Sequence, residues 1–264
     1  MADTLWAIVL GMVQGATEFL PVSSSGHLLI LYHLRDVPME ALAMTAFLHL
    51  GTFLAVLTFV RKEVGELFRA LKGCFSPISS FKEDKWFRVL IYTVVSTFVT
   101  IVLALPFESK LEGIFEDLSW MVGVFYVFTA MLLLISDRLR GTMKVESLGF
   151  LKSILIGCFQ ALAILPGVSR SGSTIFAGIM VGLQRDEALK YSFILSLPVT
   201  LGAGLLSLKE VVATPVFPAV SGFVTSLFVG LLALKVLKMV VRLRRLSVFA
   251  FYCLFLGIGI LFWR

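Results

Sequence analysis

Runs of about twenty apolar residues recur along this chain, and that is the length an α-helix needs to cross the hydrocarbon core of a bilayer. Six segments approach it: Ala41–Val60, Trp86–Leu105, Trp120–Ile135, Ala188–Leu208, Pro218–Leu237 and Leu246–Trp263. Two further apolar stretches are interrupted. Leu5–Leu20 gives way to Pro-Val-Ser-Ser-Ser-Gly and resumes at His27–Leu34; Phe150–Leu165 gives way to Pro-Gly-Val-Ser-Arg-Ser-Gly and resumes at Ser173–Leu183. Each reads as two half-length helices meeting at an unwound turn, because irregular backbone at membrane depth persists only where protein or a wet cavity satisfies it. With 58% hydrophobic and 15% charged residues, a soluble fold could not hide the apolar surface. The expected fold is an all-α polytopic membrane protein: an inverted repeat with six transmembrane helices and two re-entrant helical hairpins, in one integral membrane domain over residues 1–264. The first stretch lacks a basic start and a small-residue cleavage site and carries Gln14 and Glu18, so it reads as part of the mature fold.

The net charge of +6 does not imply nucleic acid, because the basic residues sit between apolar spans rather than along one face. Arg61, Lys62, Arg69, Lys72, Lys82 and Lys85 follow the first span; Arg138, Arg140, Lys144 and Lys152 follow the third; Lys235, Lys238, Arg242, Arg244 and Arg245 follow the fifth. The connection Phe107–Leu118 is acidic instead, with Glu108, Glu112, Glu116 and Asp117. Placing the basic loops in the cytoplasm leaves both termini outside and makes the two hairpins enter from opposite sides. Cys74, Cys158 and Cys253 are scattered and imply neither a disulfide framework nor a metal site.

A duplication supports the inverted arrangement. Gly11-x-x-Gln14 returns as Gly157-x-x-Gln160, an offset of 157 − 11 = 146. Leu20-Pro21 returns as Leu165-Pro166, Ser23-x-Ser25-Gly26 as Ser169-x-Ser171-Gly172, and Lys62-Glu63-Val64 as Lys209-Glu210-Val211. The halves are approximately 1–118 and 119–264. Inverted repeats with broken helices place a binding site near the midplane, where the breaks meet.

The breaks carry the chemistry. Gln14 and Glu18, four apart, share one face of a half-helix, and an ionisable residue at that depth is expensive and functional by default. Ser23, Ser24 and Ser25 open the next half-helix, with His27 in its first turn; Ser169, Arg170, Ser171 and Thr174 open its counterpart. Two converging helix N-termini make an anion site, and the fork of Arg170 suits phosphate oxygens. This set fits phosphoryl transfer, where positioning and charge stabilisation dominate. A carboxylate beside phosphate calls for a hard divalent cation, Mg²⁺ or Ca²⁺, at Glu18 with Gln14 assisting. His49 and Thr45 read as cross-helix hydrogen-bonding groups, and the glycines at 11 and 15 and at 178 and 182 as helix contacts. Acid-phosphatase-like lipid phosphatases also use Ser-Gly-His and Ser-Arg pieces, but the histidine they need after Arg170 and their upstream basic block are absent.

At these residues the chain closely resembles the undecaprenyl-diphosphatase family of the bacitracin-resistance type. The (Glu/Gln)-x-x-x-Glu motif running into Phe-Leu-Pro-x-Ser-Ser-x-Gly-His appears as Gln14 through Glu18 to His27, and Pro-Gly-x-Ser-Arg-Ser as Pro166–Ser171. The resemblance extends over essentially the whole chain. It implies hydrolysis of undecaprenyl diphosphate to the monophosphate and inorganic phosphate, recycling the carrier lipid for cell-wall synthesis. It also implies a homodimer in the plasma membrane with an active site reached from outside. On these residues Glu18 and Gln14 are the metal site, and Arg170 holds the diphosphate. Ser24 is the nucleophile with His27 as its base, and Ser23, Ser25, Ser169, Ser171 and Thr174 donate to phosphate. Direct attack by His27 or by water is the alternative to Ser24. A transporter or flippase for polyprenyl phosphate is the competing reading, since broken inverted repeats are common in carriers; a carrier, though, needs no acid, base and hydroxyl at one point.

Overall fold

The computed structural model describes residues 2–35, 42–115, 120–206 and 215–262. Among these every regular element is a helix, and the one β-type feature is a lone bridge between Met143 and Leu183. The first interrupted stretch forms α1 (Ala2–Phe19) and α2 (Ser24–Arg35). Next come α3 (Leu42–Phe59), α4 (Arg61–Ala70), α5 (Pro77–Glu83) and α6 (Lys85–Phe115). The second half has α7 (Trp120–Arg138), the broken pair α8 (Phe150–Ala161) and α9 (Arg170–Met180), then α10 (Arg185–Leu206), α11 (Val216–Arg242) and α12 (Ser247–Phe262).

Among the described residues, four helices are long and apolar enough to cross a membrane: Lys85–Phe107, Trp120–Arg138, Arg185–Leu205 and Val216–Arg242. The first expected span is one arm of a fifth candidate, Met44–Phe59 joined to Arg61–Phe75 through an 80° bend. The sixth is the shorter apolar helix α12, and the expected end of that span at Trp263 lies outside the described residues. So do Glu116, Asp117 and the Lys209-Glu210-Val211 echo. Two boundaries differ from expectation. The segment read as a basic loop after α3 forms α4 and α5, because its apolar residues recur at helical spacing between the charges. The span ending at Leu105 runs on to Phe115 through Pro106, as intramembrane helices tolerate proline where neighbours re-satisfy the backbone.

Small residues set the packing. A Cβ on Gly11 would lie 2.6 Å from the Gly222 carbonyl oxygen, so α1 meets the backbone of α11 directly. Its sequence counterpart Gly157 meets the Ser96 carbonyl at the same 2.6 Å, joining α8 to α6. Gly123 and Gly257 are each pressed on the other's carbonyl, joining α7 to α12. Such close approach is what van der Waals-driven helix association in lipid requires. Gly15 and Gly178 are helix contacts as expected, whereas Gly182 takes a left-handed φ of 105° and turns the chain after α9. Of the four span candidates α10 is the most buried, with 56% of its apolar window buried against 28% for α6, which faces outward. Phe193 of α10 packs edge-on against Phe19 and Phe59, placing a closed aromatic layer beside the end of α1.

Candidate active site

The two breaks meet. In the first, Ser23 has a left-handed φ of 65°, unusual for a residue with a Cβ; in the second, Gly167 has a φ of 100°. These two turning residues bind each other: the Gly167 N–H donates to Ser23 Oγ at 3.0 Å. The hydroxyl patterns on either side are alike. Ser23 Oγ accepts from Gly26 N–H at 3.4 Å and lies 3.3 Å from Ser25 Oγ; Ser169 Oγ accepts from Gly172 N–H at 3.1 Å and lies 3.2 Å from Ser171 Oγ. Ser169 is thus the N-cap of α9, and α2 opens in the same manner.

α7 and α12 brace the breaks from behind. Thr129 donates to the Gly167 carbonyl at 2.8 Å and accepts from Ser169 N–H at 3.1 Å. The Tyr126 hydroxyl reaches His27 Nδ1 at 3.0 Å, and Cys253 Sγ donates to the Pro21 carbonyl at 3.6 Å. Gly26 is required where the brace passes, since a Cβ there would fall 2.5 Å from the Tyr126 hydroxyl oxygen.

Glu18 is the hub. Its Oε1 accepts from Arg170 Nη2 at 2.6 Å; its Oε2 accepts from Ser24 Oγ at 2.8 Å and from Gln14 Nε2 at 2.9 Å. Carboxylate and guanidinium are 7% and 12% exposed, so this is a buried, mutually neutralising ion pair between two distant parts of the chain. Gln14 uses its second N–H toward His49 Nδ1 at 3.1 Å, which makes that ring nitrogen an acceptor. His49 Nδ1 stands 3.9 Å from Glu18 Oε2.

Around the hub lie two adjoining pockets. One of ≈ 40 Å³ is lined by Glu18, Arg170, Ser23, Ser24, Ser25 and Ser169. The other, ≈ 240 Å³, holds Gln14, His49, Ser24 and Ser25 at one end and Leu28 and Leu29 along its wall. Ser24 and Ser25 border both.

Gln14, Glu18, Ser23, Ser24, Ser25, Ser169 and Arg170 are therefore brought together as expected from the sequence. Others are not. His27 Nδ1 lies 2.7 Å from the Ser23 carbonyl and its Nε2 2.6 Å from the Tyr252 hydroxyl, on which its ring stacks; Ser24 is bonded to Glu18 instead of His27. Thr174 turns away: its hydroxyl donates within α9 and lies 2.6 Å from Ser192 Oγ of α10. Ser171 is buried against Ser169 and does not line the small pocket. His49 makes the cross-helix bond expected of it, to Gln14, and that bond also places it at the site; no sequence signal marks Tyr126, Thr129 and Tyr252, whose roles arise only from packing.

A divalent cation fits the donor set in a limited way. Among the described residues no cluster of three His, Cys, Asp or Glu side chains is present. Gln14 Oε1, however, is buried without a hydrogen-bond partner beside Glu18, a free hard-oxygen donor next to a carboxylate. Mg²⁺ is commonly held by one or two such protein groups, with water and substrate phosphate completing its shell.

The family described as "Bacitracin resistance protein BacA" matches residues 7–259 of this chain. A protein of Methanococcus maripaludis named undecaprenyl-diphosphatase is 40% identical over 247 residues, covering 93% of this chain and 94% of that one. Proteins of the same name from Thermosipho melanesiensis and Methanobrevibacter smithii are 39% and 38% identical over 251 and 266 residues, with at least 95% of each chain covered. A match of that extent, running through both breaks and the helices that brace them, makes this multi-pass membrane protein a member of the bacitracin resistance protein BacA family.

Proposed function

We propose that the chain hydrolyses undecaprenyl diphosphate to undecaprenyl phosphate and inorganic phosphate, recycling the carrier lipid for cell-wall synthesis and so conferring bacitracin resistance. The observation that carries this reading is the single bonded chain Arg170–Glu18–Ser24 at the meeting of the two breaks. It sets a phosphate-binding cation, a proton acceptor and a hydroxyl within one small pocket. The names of relatives at 38–40% identity support the same substrate.

The terminal phosphate enters between the openings of α2 and α9, where backbone N–H groups and the hydroxyls of Ser23, Ser25 and Ser169 face it. Arg170 moves part of its charge from Glu18 to the phosphate oxygens and stabilises the charge that develops there. Ser24 Oγ attacks the terminal phosphorus in line with the bridging oxygen and passes its proton to Glu18 Oε2, its existing acceptor. The P–O bond to the bridging oxygen breaks, and undecaprenyl phosphate leaves. Glu18 passes that proton on to the departing undecaprenyl phosphate; the freed carboxylate then takes a proton from water, which splits the serine phosphoester, and returns it to Ser24 Oγ as inorganic phosphate is released. His27, held between Ser23 and Tyr252, orients the first break. Mg²⁺ or Ca²⁺, held by Glu18 and the free oxygen of Gln14, would offset the negative charge of the diphosphate.

The duplicated motifs and their matching contacts support two inverted halves of approximately 1–118 and 119–264. The family resemblance supports a homodimer in the plasma membrane with the pocket reached from outside, and the placement of basic residues supports that orientation.

Phosphate release by the detergent-purified protein from undecaprenyl diphosphate, with Mg²⁺ and then with EDTA, tests the proposal. Release that requires the cation and disappears in Ser24→Ala is the expected result. Full release by Ser24→Ala would transfer the attack to water or His27, and tight lipid binding without release would favour a carrier.

A further inference from the structure

α4 leaves α3 at 80°, so if α3 crosses the bilayer, α4 lies along its surface. It has the composition of an interfacial helix: Val64, Phe68 and Leu71 follow one face, with Lys62, Glu66 and Arg69 on the other. The apolar side continues outward through Phe75 and Ile78, which are 92% and 77% exposed. Beside it runs an open groove of ≈ 370 Å³ with nearly wholly apolar walls, formed by Ile78, Phe81, Phe87, Ile91 and Phe150, with Lys82 at its edge.

The groove is preformed. Arg88 of α6 donates to the carbonyls of Phe81 and Lys82 at 3.1 and 2.9 Å and to that of Glu146 at 3.0 Å, pinning α5 on α6. Phe81 stacks on Phe150 with centroids 5.6 Å apart, and Gly73 sits so close to Phe87 that a Cβ would fall 2.5 Å from its ring. The rim is basic. Between residues 61 and 85 six cations are exposed (Arg61, Lys62, Arg69, Lys72, Lys82 and Lys85), whereas Glu83 is the one exposed acid. Of the remaining acids, Glu66 pairs with Arg69 at 2.6 Å and Asp84 accepts from the Trp86 N–H.

We propose that the α4–α5 segment is a binding site for an anionic phospholipid of the surrounding leaflet, one acyl chain lying in the groove and the phosphate held at its edge by Lys82. Charge selects this occupant. A second copy would bring the same positive rim, and a zwitterionic lipid would leave the excess of cations unmatched. The site is distinct in residues from the Glu18–Arg170 pocket and does not depend on its chemistry.

Native mass spectrometry of the full-length detergent-purified protein tests this, with phosphatidylglycerol and phosphatidylcholine of matched chains supplied together. The wild type is expected to retain phosphatidylglycerol at least tenfold over phosphatidylcholine. Lys82→Ala should lower that preference about fivefold, the weight of one surface cation. Ile78→Trp, which fills the groove, should reduce retention of both lipids alike. Phosphate release within twofold of wild type shows that each variant is folded; should Ile78→Trp fail that check, Lys82→Glu provides the decisive reading. Equal retention of the two lipids by the wild type, or no effect of either Lys82 variant, overturns the proposal. Displacement of phosphatidylglycerol by equimolar undecaprenyl phosphate overturns it too, making the groove a product site.

Discussion

Removing Arg170 should do two separable things. It leaves Glu18, 7% exposed, with no counter-ion, and breaking a buried pair from one side typically costs about 3–5 kcal/mol of stability. It also deletes the donor that would stabilise charge on the transferring phosphate, a loss of roughly 10²–10³ in turnover. The two are distinguished by a cycle of Arg170→Ala, Glu18→Gln and the double variant. Arg170→Ala should unfold at lower denaturant or temperature than wild type. The double variant should recover most of that stability, because a neutral amide in place of the carboxylate needs no guanidinium; Gln14 and Ser24 lie near enough to bond it still. Turnover should stay at least 10²-fold down in all three. Phosphate release and unfolding measured on the same detergent preparations give both numbers. If Arg170→Ala alone turns over within threefold of wild type while unfolding earlier, Arg170 serves only to neutralise Glu18, and the transition-state role is refuted.

Gly167→Ala should destabilise by about 1–3 kcal/mol, since it forces a Cβ at φ 100° to within 2.6 Å of the Val122 carbonyl oxygen. Gly259→Ala, in a helix with nothing within 4 Å, should stabilise by about 0.5–1 kcal/mol; thermal unfolding in the reverse order would sink the packing argument. Tyr252→Phe removes one bond to His27 Nε2, worth about 0.5–1.5 kcal/mol, so turnover should fall roughly two- to tenfold; an unchanged rate would show that His27 is held by Ser23 and Tyr126 alone. Gln14→Leu should raise the Mg²⁺ concentration for half-maximal release by roughly 10–100-fold, and an unshifted titration curve would remove Gln14 from the cation site.

The convergence of Glu18 and Arg170, 152 residues apart, was legible because both breaks carry the same Pro, Ser and Gly pattern, and a charge of each sign at membrane depth needs a partner. What was not legible depends on rotation of one helix against another. Thr174 looked like a phosphate donor by its hydroxyl, yet the turn of α9 presents it to Ser192. His27 looked like a base by its proximity in sequence to Ser24, yet α12, more than two hundred residues away, supplies the hydroxyl that binds its ring. The α4–α5 segment was read as a loop because its charges dominate; its apolar residues acquire meaning only when α6 and Phe150 complete the groove.

The Glu18–Arg170 pair has a consequence for what the pocket can recognise. An arginine already satisfied by its own carboxylate is not an open magnet for anions. Any ligand must outbid that carboxylate, so its affinity is the difference between two attractions. A monovalent ion offers little more than Glu18 already does and gains nothing by entering. A diphosphate terminus, with several oxygens and more than one charge, can spread over the serines and the helix openings as well as the guanidinium. Inorganic phosphate has fewer ways to do so, and the carboxylate reclaims its partner as the product leaves. With the diphosphate seated there as proposed, the pair would act as an internal competitor, setting a valence threshold that admits the substrate and helps to expel what is made from it.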